Sequence, residues 1–401
     1  MNKGWQTSSL GNVLATIKNG LNCKQDKRGV GQKISRIESI SLAAFDLSRV
    51  GYAEISDSDK SKFKLIRGDI LFSHINSPIH VGKTAVFDAD EDVYHGVNLL
   101  LMRPTAAISS AYLELFLKYL FDTGYWRTSC KQSVNQASVN QQDILRVPIA
   151  FPSSHIEQQR IVTLLDKAFD GIATAKANAE KNLQNARAIF ESHLQSVFND
   201  AAELGEAVVL ADLATDITDG DHMPPPKALH GVPFITIGNI AKDTRTVDFS
   251  DTFMVPRTYF DSLKANKKPQ LGDVLYTVTG SYGVPVLINE TREFCFQRHI
   301  GLVRPKPEVS SGWLYYLLMS PQVFKQADEG ATGTAQKTVS LKVLRGYKVP
   351  KIPLVMQLKM VAKLDSFFEV TQRLESIYQR KLTLLDELKK SLLHRAFNGD
   401  L

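Results

Sequence analysis

With 401 residues, 43% of them hydrophobic and 22% charged, the chain has the make-up of a folded protein with room for two or three full-sized cores, which excludes a disordered or fibrous polymer. A net charge of +6 is compatible with a polyanionic partner without requiring one. Cys23, Cys130 and Cys295 are too few and too scattered for a disulfide framework or a zinc site and suit a reducing compartment.

Residues 1–153 read as a mixed α/β domain. Met1 to Gly20 lacks the apolar core of a signal peptide, and no apolar run approaches the roughly 20 residues that cross a bilayer, so a cytoplasmic protein without a membrane segment is expected. A loop-like basic stretch covers 24–33. Strand-like runs follow at 69–73, 84–87 and 93–102, then a short helix at 111–121, where Leu113, Leu117 and Leu120 share a face. Residues 131–142 are polar and amide-rich, and the prolines of Val147-Pro148 and Phe151-Pro152 keep the next helix from starting earlier.

That helix is expected over 156–199. Ile161, Leu165, Ala168, Ile172, Ala175, Ala179, Leu183, Ala186, Phe190, Leu194 and Val197 recur every three or four residues, and Gly171 is its one interior breaker. At 1.5 Å per residue such a helix is about 60 Å long, more than one small domain covers. A second breaker-free stretch, 354–398, repeats the spacing through Met360, Leu364, Phe367, Leu374, Tyr378, Leu382, Leu385, Leu388, Leu392 and Ala396, with Thr371 filling a gap.

Between the two helices the first domain is restated. Gly68-Asp69-Ile70-Leu71 returns as Gly272-Asp273-Val274-Leu275, Arg103-Pro104 as Arg304-Pro305, Gln136-Ala137-Ser138-Val139 as Gln336-Lys337-Thr338-Val339, and Phe198-Asn199 as Phe397-Asn398. Offsets near 200 residues mean duplication of a whole domain-plus-helix unit, since solenoid repeats run about 20–50 residues. The expected fold class is α+β: two similar mixed α/β domains, 1–153 and 201–353, separated by two long helices, 154–200 and 354–401, that pair antiparallel as a coiled coil. Leu165, Ile172, Ala179, Leu183 and Phe190 would face Leu364, Phe367, Leu374, Leu385 and Leu392.

These features together resemble the DNA-specificity subunits of type I restriction–modification systems. The resemblance spans essentially the whole chain. It is carried by Asp219-Gly220-Asp221-His222 ahead of prolines 224 to 226, the Gly-Asp-Ile/Val-Leu pair, Gln336 before Val339-Ser340, Pro152 with Glu157-Gln158 and Ile161, and the terminal Ala396-Phe397-Asn398-Gly399-Asp400-Leu401. It implies two target-recognition domains reading the halves of a split double-stranded DNA site. Paired helices would set the spacing and hold two methyltransferase subunits, through which restriction subunits join. The first half departs from the pattern: Lys18-Asn19-Gly20-Leu21-Asn22 keeps only the glycine of the Asp-Gly-x-His segment. The second helix begins Val355-Met356-Gln357, without the counterpart of Glu157.

For such a task, Asn and Gln suit the adenine N6/N7 edge, and Arg and Lys suit guanine O6/N7 and phosphates. In the first domain this chemistry is offered by Lys24, Lys27, Arg28, His74, Asn76, His80, Lys83, Arg127, Lys131, Gln132, Asn135, Gln136 and Asn140. In the second it is offered by His222, Lys227, Thr279, Ser281, Tyr282, Gln297, Arg298, His299, Thr332, Thr334, Gln336 and Lys337. The bland alternative for each is a solvated polar loop. Asp219 to His222 fails the alternating acidic spacing of a calcium loop and reads as a turn with a contact role for His222. Gly82-Lys83-Thr84 is no phosphate loop, because Ser77 holds the required first glycine position and a strand follows. No cofactor fingerprint, metal-ligand spacing or methyltransferase or nuclease motif is present, so no catalytic residue, metal or cofactor is expected. The alternative function is a stand-alone DNA-binding regulator without an enzyme partner.

Overall fold

Short apolar runs punctuated by glycine and proline can only bury themselves by pairing into small sheets, and both halves of the chain do so in the same way. The computed structural model describes residues 4–26, 29–42, 44–133, 136–334 and 336–401. It divides into two compact units, one of residues 1–179 and 380–401, the other of residues 180–379.

In the first unit a four-stranded antiparallel sheet has the order Leu14–Asn19, Leu100–Pro104, Ile70–Phe72, Thr84–Val86. A second sheet places Gln32–Ile34 between Gly51–Ala53, antiparallel, and Val93–Tyr94, parallel. Trp5–Ser9 pairs with Pro148–Pro152. The second unit repeats each of these: Ala214–Asp219, Ile300–Pro305, Val274–Thr277, Pro285–Leu287; then Val232–Ile235 between Phe253–Val255 and Cys295–Phe296; then Glu206–Val209 with Lys348–Lys351. Even the register slip in the first strand recurs, between Leu14 and Thr16 and between Ala214 and Asp216. The duplication is therefore one of fold as well as of sequence.

One expected element divides. The run 93–102 forms two strands in different sheets, because Asn98 takes a left-handed φ of 73° that no continuous strand allows. The short helix, Ser110–Asp122, is one residue longer at each end than expected. The Ser109 hydroxyl accepts from the Tyr112 amide (3.3 Å) at its start.

The repeated sequence motifs are structural clasps. Gly68 and Gly272 hold φ of 93° and 92°, and each is followed by a buried aspartate. Asp69 receives Arg103 through two bonds (2.7 and 2.8 Å) and the Ile66 amide (2.9 Å). Asp273 receives Arg304 (2.9 and 2.8 Å) and the Gln270 amide (2.8 Å). Buried Gln158 accepts from the Ser109 amide (2.8 Å) and donates to Ala107 and Pro152 carbonyls; buried Gln357 does the same with Ser310, Glu308 and Ile352. The glutamine is therefore the part of the helix start that both halves need. Among the described residues the Glu157 carboxylate makes only an exposed pair with Arg160 (2.8 Å), which is why its absence from the second start is tolerated.

The first long helix runs His155–Leu204, longer at both ends than expected, and the second runs Leu354–Asn398, as expected. Each unit contains a stretch of both. In the first unit Ile161 and Leu165 enter the core beside Leu393, Ala396 and Phe397, and Phe397 sits edge-on to Tyr112 and Phe116. There Lys176 pairs with Asp386 (2.7 Å), and Arg160 donates to the Leu401 carbonyl (2.9 Å). In the second unit Phe190, Leu194 and Phe198 join the core with Leu364, Phe198 lies 4.5 Å from the Trp313 ring, and Arg187 pairs with Glu375 (2.7 Å). Within each unit the numbers rise along one helix as they fall along its partner, so the packing is antiparallel. Ile172 and Ala179 are also buried, while Leu183, Phe367, Leu385 and Leu392 are half-buried. Leu374 departs from expectation: it is exposed, and Thr371 is buried in the seam, its hydroxyl satisfied by the Phe367 and Phe368 carbonyls at 3.0 Å. No helix among the described residues is long and apolar enough to cross a membrane.

Candidate nucleic-acid interface

Strand ends, not motifs, bring the polar candidates together. In the second unit the Val278 amide donates to the His299 carbonyl (3.0 Å), Val339 to Val278 (2.8 Å), Gly280 to Lys337 (2.9 Å) and Thr338 to Thr332 (2.7 Å). Segments 278–282, 297–299, 332–334 and 336–338, distant in sequence, thereby become one loop cluster beyond strand Val274–Thr277. Gly280, at φ 73°, permits the turn. Thr332, Thr334, Gln336, Ser281 and Arg298 are exposed there, whereas Thr279 is buried with its hydroxyl 3.4 Å from that of Thr338.

Several side chains in this cluster hold one another. The Tyr282 ring stacks on Phe324 (6.1 Å, 14°), its hydroxyl donates to Asp328, and Lys337 donates to the same carboxylate (3.0 Å). The two donors keep the Asp328 carboxyl below its usual range. Lys242, which the sequence reading passed over, donates to the Ser281 hydroxyl (2.5 Å). Its only sequence signal is a lysine in a polar turn, which is too common to single out.

A second corner of this unit forms where Gly220 passes the neighbouring strand. A β-carbon on Gly220 would lie 1.9 Å from the Phe296 carbonyl oxygen, so only glycine fits. Asp221 then bridges to Gln297, and the Arg298 amide donates to the Asp221 carbonyl (3.3 Å). His222 contacts Asp219 (2.8 Å), and Asp221 accepts from the Tyr259 hydroxyl. The Asp-Gly-Asp-His segment is thus a self-bonded turn with His222 exposed on it. Lys227 lies over the Phe253 ring (5.1 Å), and Gln297 accepts from the Ile237 amide (3.4 Å). His222, Pro224, Phe253, Gln297, Arg298 and His299 are among the walls of a cavity of about 310 Å3. Burial and the adjacent Arg298 cation lower the His299 imidazole, favouring its neutral form.

The first unit assembles the matching places. Gly20 does what Gly220 does: its β-carbon would fall 2.0 Å from the Gly96 carbonyl oxygen. The Val139 amide donates to the His74 carbonyl (2.9 Å) as Val339 does to Val278. Lys131–Ser133 and Gln136–Ser138 form a hairpin whose second strand pairs with Ile75–Asn76, so Lys131, Gln132, Gln136 and Asn76 are gathered on one sheet. Lys24 and Arg127 are exposed. Other candidates have internal work. Lys83 donates to the Ser41 carbonyl (3.0 Å), and Asn140 caps helix Gln141–Leu145 by accepting from the Asp143 amide (2.8 Å). His74 and His80 are half-buried, and burial lowers His74. Lys27, Arg28 and Asn135 lie outside the described residues. Asn98 was missed; Gly96 and Asn98 inside an apolar run were the turn signal that could have found it.

Among the described residues no group of three or more His, Cys, Asp or Glu could hold a metal ion. What the loops offer is hydrogen-bonding side chains and cations on rigid strands, the chemistry of recognition.

Comparison with known proteins agrees. The type I restriction modification DNA specificity domain matches residues 2–184 and 217–384, once in each half. A Methanocaldococcus jannaschii protein named as the type I restriction enzyme MjaX specificity subunit is 28% identical over 98% of this chain and 93% of its own. Among solved structures, the specificity subunit HsdS from Thermoanaerobacter tengcongensis has TM-score 0.64 at 19% identity, covering 100% of this chain and 98% of that one. A chain from a structure on complex assembly and conformational transition of a type I restriction–modification system has TM-score 0.77 at 19% identity, covering 100% and 99%. With both halves matched by the same domain and the fold shared end to end, the chain belongs to the DNA-specificity subunits of type I restriction–modification systems, the non-catalytic members of those assemblies.

Proposed function

We propose that the protein reads a bipartite double-stranded DNA site, with residues 1–153 taking one half-site and 201–353 the other. The helices 154–200 and 354–401 fix the distance between them. The observation that carries this reading is the recurrence, in two compact units, of the same sheet order, the same glycine crossing and the same gathering of polar loops at strand ends. Two equivalent readers on one chain suit a site in two parts. A spacing near one DNA turn puts both half-sites on one face of the duplex.

The chain brings two methyltransferase subunits to that site, and restriction subunits join through them, in the cytoplasm. Large apolar side chains left exposed on the second long helix support a partner-binding role: Val370, Leu374 and Ile377 in the second unit, Leu384 and Leu388 in the first.

The test is to co-express the chain with the methyltransferase subunits of its system and map methylated bases across a genome. A two-part motif with unread bases between its parts is expected. Exchanging residues 1–153 for another recognition domain changes one part only. A one-part motif, or change in both parts, refutes the reading. Specific binding by the isolated chain with no methylation in any combination supports the stand-alone regulator instead.

A further inference from the structure

The two units agree in their clasps, and one of the places where they differ is a corner beside the glycine crossing. The scaffold positions carry the same residue in both: Gly20 and Gly220, Asp69 and Asp273, Arg103 and Arg304, Gln158 and Gln357. The strand registers make Gly96, Val97 and Asn98 the counterparts of Gln297, Arg298 and His299. There the identities part entirely. In both units this corner walls a cavity, about 430 Å3 in the first and 310 Å3 in the second, open to solvent beside the glycine crossing. A cavity whose lining changes on an unchanged frame is a place where a duplicated reader can set its selectivity.

The two linings carry different base-edge chemistry. In the first unit Asn98 is exposed at φ 73°, a conformation asparagine tolerates and most residues do not. Among the described residues nothing hydrogen-bonds its amide, whereas Asn76 donates to Ser73 and Asn140 to Asp143. In the second unit Arg298 is exposed, and among the described residues its guanidinium hydrogen-bonds only to its neighbour His299, at 3.4 Å. Arg257 and Arg304 of the same unit are held by carboxylates. Each corner therefore offers an exposed group, held by no carboxylate, of the type that reads a purine in the major groove, a side-chain amide for adenine and a guanidinium for guanine.

We infer that this corner is the base-reading site of each domain, Asn98 taking an adenine in one half-site and Arg298 a guanine in the other. The inference rests on the bipartite recognition proposed above. It makes the half-sites unlike each other despite the shared fold.

Methylome mapping of the chain co-expressed with its methyltransferase subunits tests it with three variants. Asn98→Gly suits the left-handed backbone and strips only the amide. It should make one A·T position degenerate, with discrimination falling roughly tenfold or more. Asn98→Asp keeps an acceptor and loses the donor, so the same position should move toward cytosine. Arg298→Ala, at an exposed side chain, should make one G·C position degenerate in the other half-site and carries the test in its own right. An unchanged two-part motif in all three overturns the inference and leaves bipartite recognition standing. So does a variant that alters both halves, or one that loses all methylation at an unchanged melting temperature. A wild-type motif without two parts overturns the underlying reading instead.

Discussion

Arg304→Leu puts the clasp reading of the Gly-Asp motif to a quantitative test. The substitution removes two bonds to Asp273 (2.9 and 2.8 Å) and one to the Lys268 carbonyl (2.9 Å). It leaves a carboxylate only 2% exposed with the Gln270 amide as its remaining partner. Breaking a buried pair from one side costs about 3–5 kcal/mol, mostly because the other charge is stranded. The Arg304 side chain is 17% exposed and Arg103 is 35% exposed, so water screens the first-unit pair more, and Arg103→Leu should cost about 2 kcal/mol. Because a chain of two units need not unfold in one step, the measurement is amide hydrogen exchange in strands Val274–Thr277 and Ile70–Phe72. Protection of the first should fall about 100-fold or more with Arg304→Leu. Adding Asp273→Leu should restore part of it, since an apolar pair strands no charge. A loss below about 1 kcal/mol, or no recovery in the double variant, would refute the assignment.

Two further outcomes are expected. Between the pair Lys176–Asp386 and the pair Arg187–Glu375 each long helix advances eleven residues, so deleting residues 178–184 and 378–384 together keeps the heptad phase. Each helix shortens by about 10 Å, and the preferred spacer in methylated sites should fall by about three base pairs. Binding weakens as well, because that change turns one half-site by about 100°. Deletion in one helix alone should abolish methylation, and an unchanged spacer after matched deletion sinks the ruler. Separately, burial holds the His95 imidazole down to about 4, with the Lys18 carbonyl beside its Nε2. Between that value and the ordinary 6.5 the unfolded chain takes up a proton that the folded chain refuses. Stability is therefore complete above pH 6.5 and is lost as pH falls toward 4, by about 3 kcal/mol at most. His95→Gln should flatten that part of the exchange-derived stability of strand Ile70–Phe72, and an unchanged slope would count against it.

The long helices were legible because three/four spacing over more than forty residues has one physical meaning, and the duplication because paired motifs recur at one offset. What the motifs do was not legible. Gly-Asp and Arg-Pro stand in the sequence only as repeated motifs, yet they supply an ion pair on a buried carboxylate whose partners lie more than thirty residues apart. Asn140 and Lys83 read as contact residues because a side chain's type does not disclose that a helix end or a carbonyl has already engaged it. Asn98 was hidden for the opposite reason: hydrophobic neighbours on both sides made a strand the simplest reading, and only the φ of one residue breaks it.

The departure of the first domain from the Asp-Gly-x-His pattern now has a physical account. Asn19, Gly20 and Asn22 stand where Asp219, Gly220 and His222 stand, and only the glycine is forced, because any β-carbon there would meet backbone. The aspartate and histidine bond each other at the surface, and such a pair contributes at most about 1 kcal/mol. The same division holds across both domains. Changing a clasp residue costs several kcal/mol, whereas changing an exposed loop side chain usually stays within about 0.5 kcal/mol. A recognition domain built this way can alter what it reads with almost no cost in stability, provided its glycines, ion pair and buried glutamine stay. Substitution is therefore expected to be tolerated in the exposed loops and resisted in the clasps. That makes divergence between the two halves of this chain, at positions where their backbones coincide, a guide to where specificity resides.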